Sequence, residues 1–340
     1  MLRLQPAFED CDVTYATTNA DYQSDILVDP EQTPREGITF RTIIDANRTQ
    51  KFKLLLSLLS VAWVIISEKP DIILSTGAAP GFLAIRIGKL LAMKTIWIDS
   101  IANAEELSMS GKKAGKHASL WLTQWEHLAK PSGPYYYGNV LGGKNEVGEQ
   151  KTDRGSRSSD VDTETSDRGS RTSGNEDPGS FRIFLTVGSD VPFDRMVKIV
   201  DQWAGENPKT KVFAQIGRTT WQPNTIQYCQ FLTPTEFTQK VIGADLILAH
   251  AGMGSILTAL KHQKPILTMP RLGYLGETRN EHQTATAKRL LNLGKINVAF
   301  DEKELTAQLQ NAAQLPTNSL SSKFAESDFT KHISEFTRRN

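Results

Sequence analysis

With 340 residues, the chain has room for two domains of ordinary size. A formal net charge of +1 and a pI near 7.7 give no global pull toward a polyanion, so no nucleic acid is expected among its partners. Cys11 and Cys229 stand far apart without metal-ligand spacing and read as two unpaired thiols in a reducing compartment.

The opening Met1-Leu2-Arg3-Leu4 runs straight into the polar Gln5-Pro6-Ala7-Phe8-Glu9-Asp10 and carries no signal-peptide pattern. Asp12 to Thr17 reads as a strand. A helix is expected from Asn47 to Ser67, and its apolar window, Leu54 to Ile66, falls short of the roughly 20 residues that span a bilayer. Lys51 and Lys53 precede that window and Glu68-Lys69 follow it. The helix is read either as buried in an α/β domain or as lying in a membrane interface, and the two are compatible if one face is only partly covered. Pro70 to Gly77 is a second strand ending in a turn, and Pro80 suits the first turn of a helix from Gly81 to Met93. Lys94–Asp99 and Ser119–Gln124 complete the strands. This alternation predicts a parallel sheet covered by helices on both faces.

Residues 142–180 break from this pattern. The segment is rich in Ser, Asp, Arg, Gly and Thr, holds no aromatic residue, and has only Val147 and Val161 as aliphatics. It cannot bury enough apolar surface to offset the entropy of ordering and is expected to be a disordered linker. The echo of Asp153-Arg154-Gly155-Ser156-Arg157 in Asp167-Arg168-Gly169-Ser170-Arg171 reads as linker expansion.

The rhythm resumes in the second module. Strands are expected at Arg182–Val187, Lys211–Gly217, Asp245–Ala249, Pro265–Met269 and Ile296–Phe300, with helices near Pro192, Thr235–Ile242, Gly254–His262 and Glu281–Leu293. Both halves are therefore α/β and Rossmann-like, and ligands of such sheets bind beyond the carboxyl ends of the strands. Two glycine turns follow strands in this half: Gly188-Ser189, and His250-Ala251-Gly252-Met253-Gly254-Ser255. A turn that opens a helix exposes unpaired N–H groups at the positive end of the helix dipole, where a phosphate or diphosphate sits well. The Lys-Ser/Thr pair of a P-loop is absent, which disfavours Mg-ATP hydrolysis. The first strand–helix unit lacks GxGxxG, which weighs against a nicotinamide enzyme. Past the strand at Ile266–Met269, Glu277, Asn280, His282 and Gln283 gather donors and acceptors. They read either as a solvated loop or as a site where Glu277 grips vicinal hydroxyls and the others hydrogen-bond a sugar.

These residues resemble a known family. Phe184 to Ser189, Phe193 to Val197, Gln215-Ile216-Gly217, His250 to Ser255, Lys264-Pro265-Ile266, Pro270-Arg271 and Asn280 to Gln283 resemble the catalytic subunit of the UDP-N-acetylglucosamine transferase of lipid-linked oligosaccharide synthesis. That subunit is similar to the carboxyl domain of MurG-type, family 28 glycosyltransferases. The first module resembles the membrane-docking partner subunit, through Leu2 to Phe8, Val13-Thr14-Tyr15, Pro70-Asp71, Ser75 to Gly81, Ile98 to Ala102, Leu107 to Gly111 and Gln124-Trp125. The pair is also similar to bacterial capsule and exopolysaccharide transferases made as two proteins.

The resemblance implies a GT-B fold fused into one chain, with an acceptor and membrane-docking domain at 1–141 and a UDP-sugar domain with a helical tail at 181–340. It also implies an inverting transfer to a polyprenyl-diphosphate-linked sugar at the cytoplasmic membrane face, without a metal or other cofactor. Gly188, Ser189, His250, Gly252, Gly254 and Ser255 would hold the donor diphosphate, and Asn280, His282 and Gln283 the donor sugar or ribose; Glu277 rests on position alone. Family members begin with a strand and a Ser-Gly-Gly-His turn that have no counterpart ahead of Leu2, so the first strand is expected to be missing through a false start at Met1. Asp99 is then the candidate base. A non-catalytic UDP-sugar-binding scaffold and a sugar-nucleotide epimerase are the alternatives; no Tyr-x-x-x-Lys pair favours the epimerase.

Overall fold

The computed structural model describes residues 1–27, 36–46, 50–142, 180–188, 191–219, 221–278, 281–317, 319–320 and 324–338. The expected linker lies almost wholly outside them, as do Ser189 and Asn280.

In the first half the elements run β1 (Val13–Thr17), α1 (Gln23–Leu27), β2 (Ile38–Thr42), α2 (Lys51–Glu68), β3 (Ile72–Ser75), α3 (Ala78–Leu90), β4 (Lys94–Ile98), α4 (Met109–Ala114) and β5 (Leu120–Leu122). All pairings are parallel, yet they form two sheets, β1-β2 and β3-β4-β5, where one had been expected. β4 is central in the second sheet. Its residues Thr95, Ile96, Trp97 and Ile98 are all buried, as a parallel strand covered on both faces requires.

α2 buries Val61, Val64 and Ile65 and shares a core with Ile73, Ile85 and Trp97. Its other face is bare. Phe52, Leu55, Leu59, Trp63 and Ile66 recur at helical spacing, and each is more than half exposed. Among the described residues, no helix is long and apolar enough to cross a membrane.

The second half contains β6 (Phe181–Thr186), α5 (Asp194–Glu206), β7 (Thr210–Gln215), β8 (Gln227–Cys229), α6 (Pro234–Gly243), β9 (Leu246–His250), α7 (Met253–Lys261), β10 (Ile266–Met269), α8 (His282–Asn292), β11 (Asn297–Val298), α9 (Glu302–Gln310) and α10 (Ser327–Arg338). Its six strands form one parallel sheet in the order β11-β10-β9-β6-β7-β8. In chain order that is a doubly wound sheet whose winding reverses between β6 and β9, the switch point at which such sheets bind ligands. α5 buries Met196, Val197, Val200, Trp203 and Ala204 on one face of that sheet. α6 starts at a capping box between Thr233 and Glu236, with Pro234 in its first turn.

The last helix crosses back. Ala325, Phe329 and Ile333 pack with Leu4, Ala7, Ile96, Ile98 and Leu122 of the first half. The backbone seals this junction, since Ala325 N–H donates to Arg3 O at 2.8 Å and Glu326 N–H to Asn139 O at 3.1 Å. The His332 ring stacks on Tyr137 with centroids 3.9 Å apart.

Candidate functional site

Both glycine turns sit at the switch point, Gly188 just beyond β6 and Gly252 just beyond β9. The His250 ring lies between them. A Cβ placed on Gly188 would fall 2.7 Å from His250 Cε1, and one on Gly252 only 2.1 Å from His250 Nε2. Glycine is required at both positions because the imidazole occupies that space, and Gly188 also has φ +76. Gly252 is the N-cap of α7, and no side chain caps the helix there. The first turn, holding Gly254 and the buried Ser255, therefore opens toward the same end of the sheet.

Burial, and after it the nearby Arg271 guanidinium, push the His250 pKa down to about 4, with the Thr186 backbone carbonyl pulling the other way. The ring is thus neutral at physiological pH. Beside it, Gln215 is buried and its Nε2 donates to Gly188 O at 3.4 Å.

The segment after β10 comes to the same place. Gln283, in the first turn of α8, is buried and its Oε1 accepts from Arg271 N–H at 3.1 Å; His282 is exposed at the helix start. Glu277 is already engaged. Its oxygens accept from Arg195 Nε at 2.7 Å and Arg195 Nη2 at 2.9 Å, and Oε2 also accepts from Leu272 N–H at 2.9 Å. Arg195 and Arg271 belong to the stretches that carry the family resemblance, but nothing in the sequence assigned either of them a role at the site. Both guanidinium groups lie over the Phe193 ring, 5.3 and 5.2 Å from its centroid. The available signal was an arginine two residues past the end of the apolar strand Ile266–Met269.

Asp99 directly follows β4 in the other half and is 1% exposed. Oδ1 accepts from Ser108 Oγ–H at 2.6 Å and Trp97 Nε1 at 3.2 Å, and Oδ2 from Ser108 N–H at 2.8 Å and Asn103 Nδ2 at 3.3 Å. Ser108 in turn caps α4 through Gly111 N–H. The carboxylate thus ties down the loop from Ser100 to Ser108. That loop touches α8, where Thr286 Oγ1 donates to Ala102 O at 3.1 Å.

Residues 9–140 match the family described as oligosaccharide biosynthesis protein Alg14 like, and residues 182–336 match the glycosyltransferase family 28 C-terminal domain. The chain joins an Alg14-like module to a family 28 glycosyltransferase domain. Solved structures agree on the fold. MurG of Acinetobacter baumannii is similar at 16% identity and TM-score 0.50, over 98% of this chain and 95% of that one. The UDP-GlcNAc 2-epimerase from Neisseria meningitidis, bound to UDP-GlcNAc, is similar at 12% identity and TM-score 0.58, over 96% and 99%. The glycotransferase of kitacinnamycin is similar at 14% and 0.51, over 99% and 89%. No curated protein sequence matches. The Alg14-like and family 28 halves are the two Rossmann-like parts of a GT-B glycosyltransferase fold, and the switch point with its two glycine turns belongs to the family 28 half.

Proposed function

We propose that the chain is an inverting glycosyltransferase that moves a hexose, N-acetylglucosamine first among the candidates, from a UDP-sugar to a polyprenyl-diphosphate-linked sugar at the cytoplasmic face of a membrane. The observation that carries this reading is the meeting of two glycine turns and an uncapped helix start at the switch point of a family 28 domain. Backbone N–H groups there suit a diphosphate, and they stabilise it further as the sugar bond breaks and it leaves carrying charge.

In this reading Gly188, Ser189, Gly252, Gly254 and Ser255 hold the diphosphate, and the neutral His250 ring fills the space between the two turns and so fixes their spacing. His282 and Gln283, with Asn280, contact the donor sugar or ribose. Glu277 acts through Arg195, whose guanidinium fills its carboxylate. Inversion requires the acceptor hydroxyl oxygen to attack the anomeric carbon while the bond to the diphosphate breaks and a base takes the hydroxyl proton. Asp99 lies on the acceptor side, and its four hydrogen bonds support a role in fixing the loop from Ser100 to Ser108. Domains at 1–141 and 181–340 divide the work into acceptor and donor sides. The exposed stripe of α2, beginning between Lys51 and Lys53, supports docking of the first on an anionic lipid surface.

The test uses the full chain with radiolabelled UDP-N-acetylglucosamine, with and without a polyprenyl-diphosphate-linked sugar. Transfer that depends on the acceptor is expected. UDP binding without transfer would leave a scaffold in its place. Conversion of the nucleotide sugar without acceptor would mark an epimerase, an arm that the likeness to a UDP-GlcNAc 2-epimerase makes necessary.

A further inference from the structure

We propose that Arg271 is the positioning residue of the donor site: its guanidinium gathers the backbone carbonyls of the Gly188 turn and locks that turn to the segment carrying Glu277 and Gln283. The inference rests on the donor reading above and says what holds that site in shape. Arg271 is 3% exposed. Its Nη2 donates to Val187 O at 2.6 Å and to Val191 O, and its Nη1 to Pro192 O and Glu277 O, both at 3.1 Å. Three of these four carbonyls, those of Val187, Val191 and Pro192, stand close together in the chain just after β6. The fourth belongs to the neighbouring segment, and the Arg271 backbone N–H reaches Gln283 in α8. One side chain and its own peptide thus join all the parts of the site that follow β6 and β10.

The chemistry explains why an arginine stands here. Carbonyl oxygens facing an incoming diphosphate would repel it. A planar fork with five donors turns several of them inward at once, and a lysine ammonium cannot reproduce that geometry. The guanidinium also sets a fixed positive charge behind the turn. That charge is felt at the switch point, since it is the second cause of the low His250 pKa. A second clasp adjoins the first. Arg195 grips Glu277 at 2.7 and 2.9 Å and donates to Pro270 O at 3.3 Å, and it shares the Phe193 ring with Arg271.

The test measures UDP affinity by calorimetry on the full chain, with thermal melts on the same samples. R271K is expected to bind UDP at least tenfold more weakly than wild type while still melting cooperatively. F193L, which removes the ring face the two arginines share while keeping this core position apolar, is expected to lose several-fold and to melt lower. D201N serves as the structural control. Asp201 accepts from the N–H groups of Asn224, Thr225 and Ile226 at a turn away from the site, so its loss lowers the melting temperature and leaves UDP affinity within about twofold. If R271K does not fold, F193L against D201N decides the matter. UDP affinity unchanged in a folded R271K, or weakened as much by D201N as by F193L, overturns the role of Arg271 and leaves the donor reading standing. Wild-type protein that binds no UDP overturns both.

Discussion

At the scale of single residues, the site is set by how close a ring comes to two backbones. At Gly252 the space that a methyl group would take is already held by His250 Nε2 at 2.1 Å, so Gly252→Ala must push the imidazole out of its slot. Overpacking of this kind costs about 1–3 kcal/mol. We expect the variant to melt several degrees lower and to lose UDP binding, whereas Gly243→Ala, with nothing within 4 Å, leaves UDP affinity as it is. His250 also makes stability depend on pH. Its folded pKa lies near 4, below the ordinary value of 6.5, so between these limits the unfolded chain binds a proton that the folded chain refuses. Stability from this group is fully present above about pH 6.5 and is lost as pH falls toward 4, by up to about 3 kcal/mol. Melting curves of wild type and His250→Asn across that range check it. The wild type should fall more steeply, and parallel curves would remove His250 as the source.

At the scale of elements, α2 carries the clearest unpartnered face. Replacing Phe52, Leu59 and Trp63 by Ser removes apolar surface that is already in water, so folding stability should shift little while binding to anionic vesicles collapses. Flotation with phosphatidylglycerol vesicles reads this out directly; a triple variant that floats as well as wild type would exclude the helix as the contact. Much of the element order was legible beforehand for a physical reason. Strands buried on both faces, such as β4, β9 and β10, are continuous apolar runs, and they stood out as strands. β8 has three residues, two of them exposed, at the edge of its sheet, and β2 is only partly buried, so neither carries such a run. α4 was hidden because it spans six residues and is held by the Asp99–Ser108 contacts rather than by its own periodicity. The glycine turns were legible because backbone geometry dictates them. The arginine clasp was not, since what fixes it is carbonyls brought together from 80 positions apart along the chain.

At the scale of the molecule, two of the contacts that join the halves among the described residues bear most directly on the site. One is α8 against the loop after Asp99, where Thr286 reaches Ala102 O and Arg289 lies over the Trp125 ring. Gln283 begins that same helix, so the loop anchored by Asp99 and the donor side of the site share one rigid element. The other contact is α10, whose Phe329 and Ile333 are fully buried among Leu4, Ile96, Ile98 and Leu122. Truncating a buried Phe or Ile to Ala costs about 2–5 kcal/mol each, and each 1.4 kcal/mol is tenfold in an association constant. If the second half is held to the first chiefly through this helix, residues 1–142 and 180–340 made as separate chains should copurify through a tag on the latter. The double variant Phe329→Ala/Ile333→Ala should then leave the first half unbound, even though both positions lie far along the chain from the donor site. Size-exclusion chromatography of the pair gives the answer. Undiminished recovery of the complex with the double variant would move the joint from α10 to the α8 contact, which Thr286→Val and Trp125→Ala then probe in the same assay.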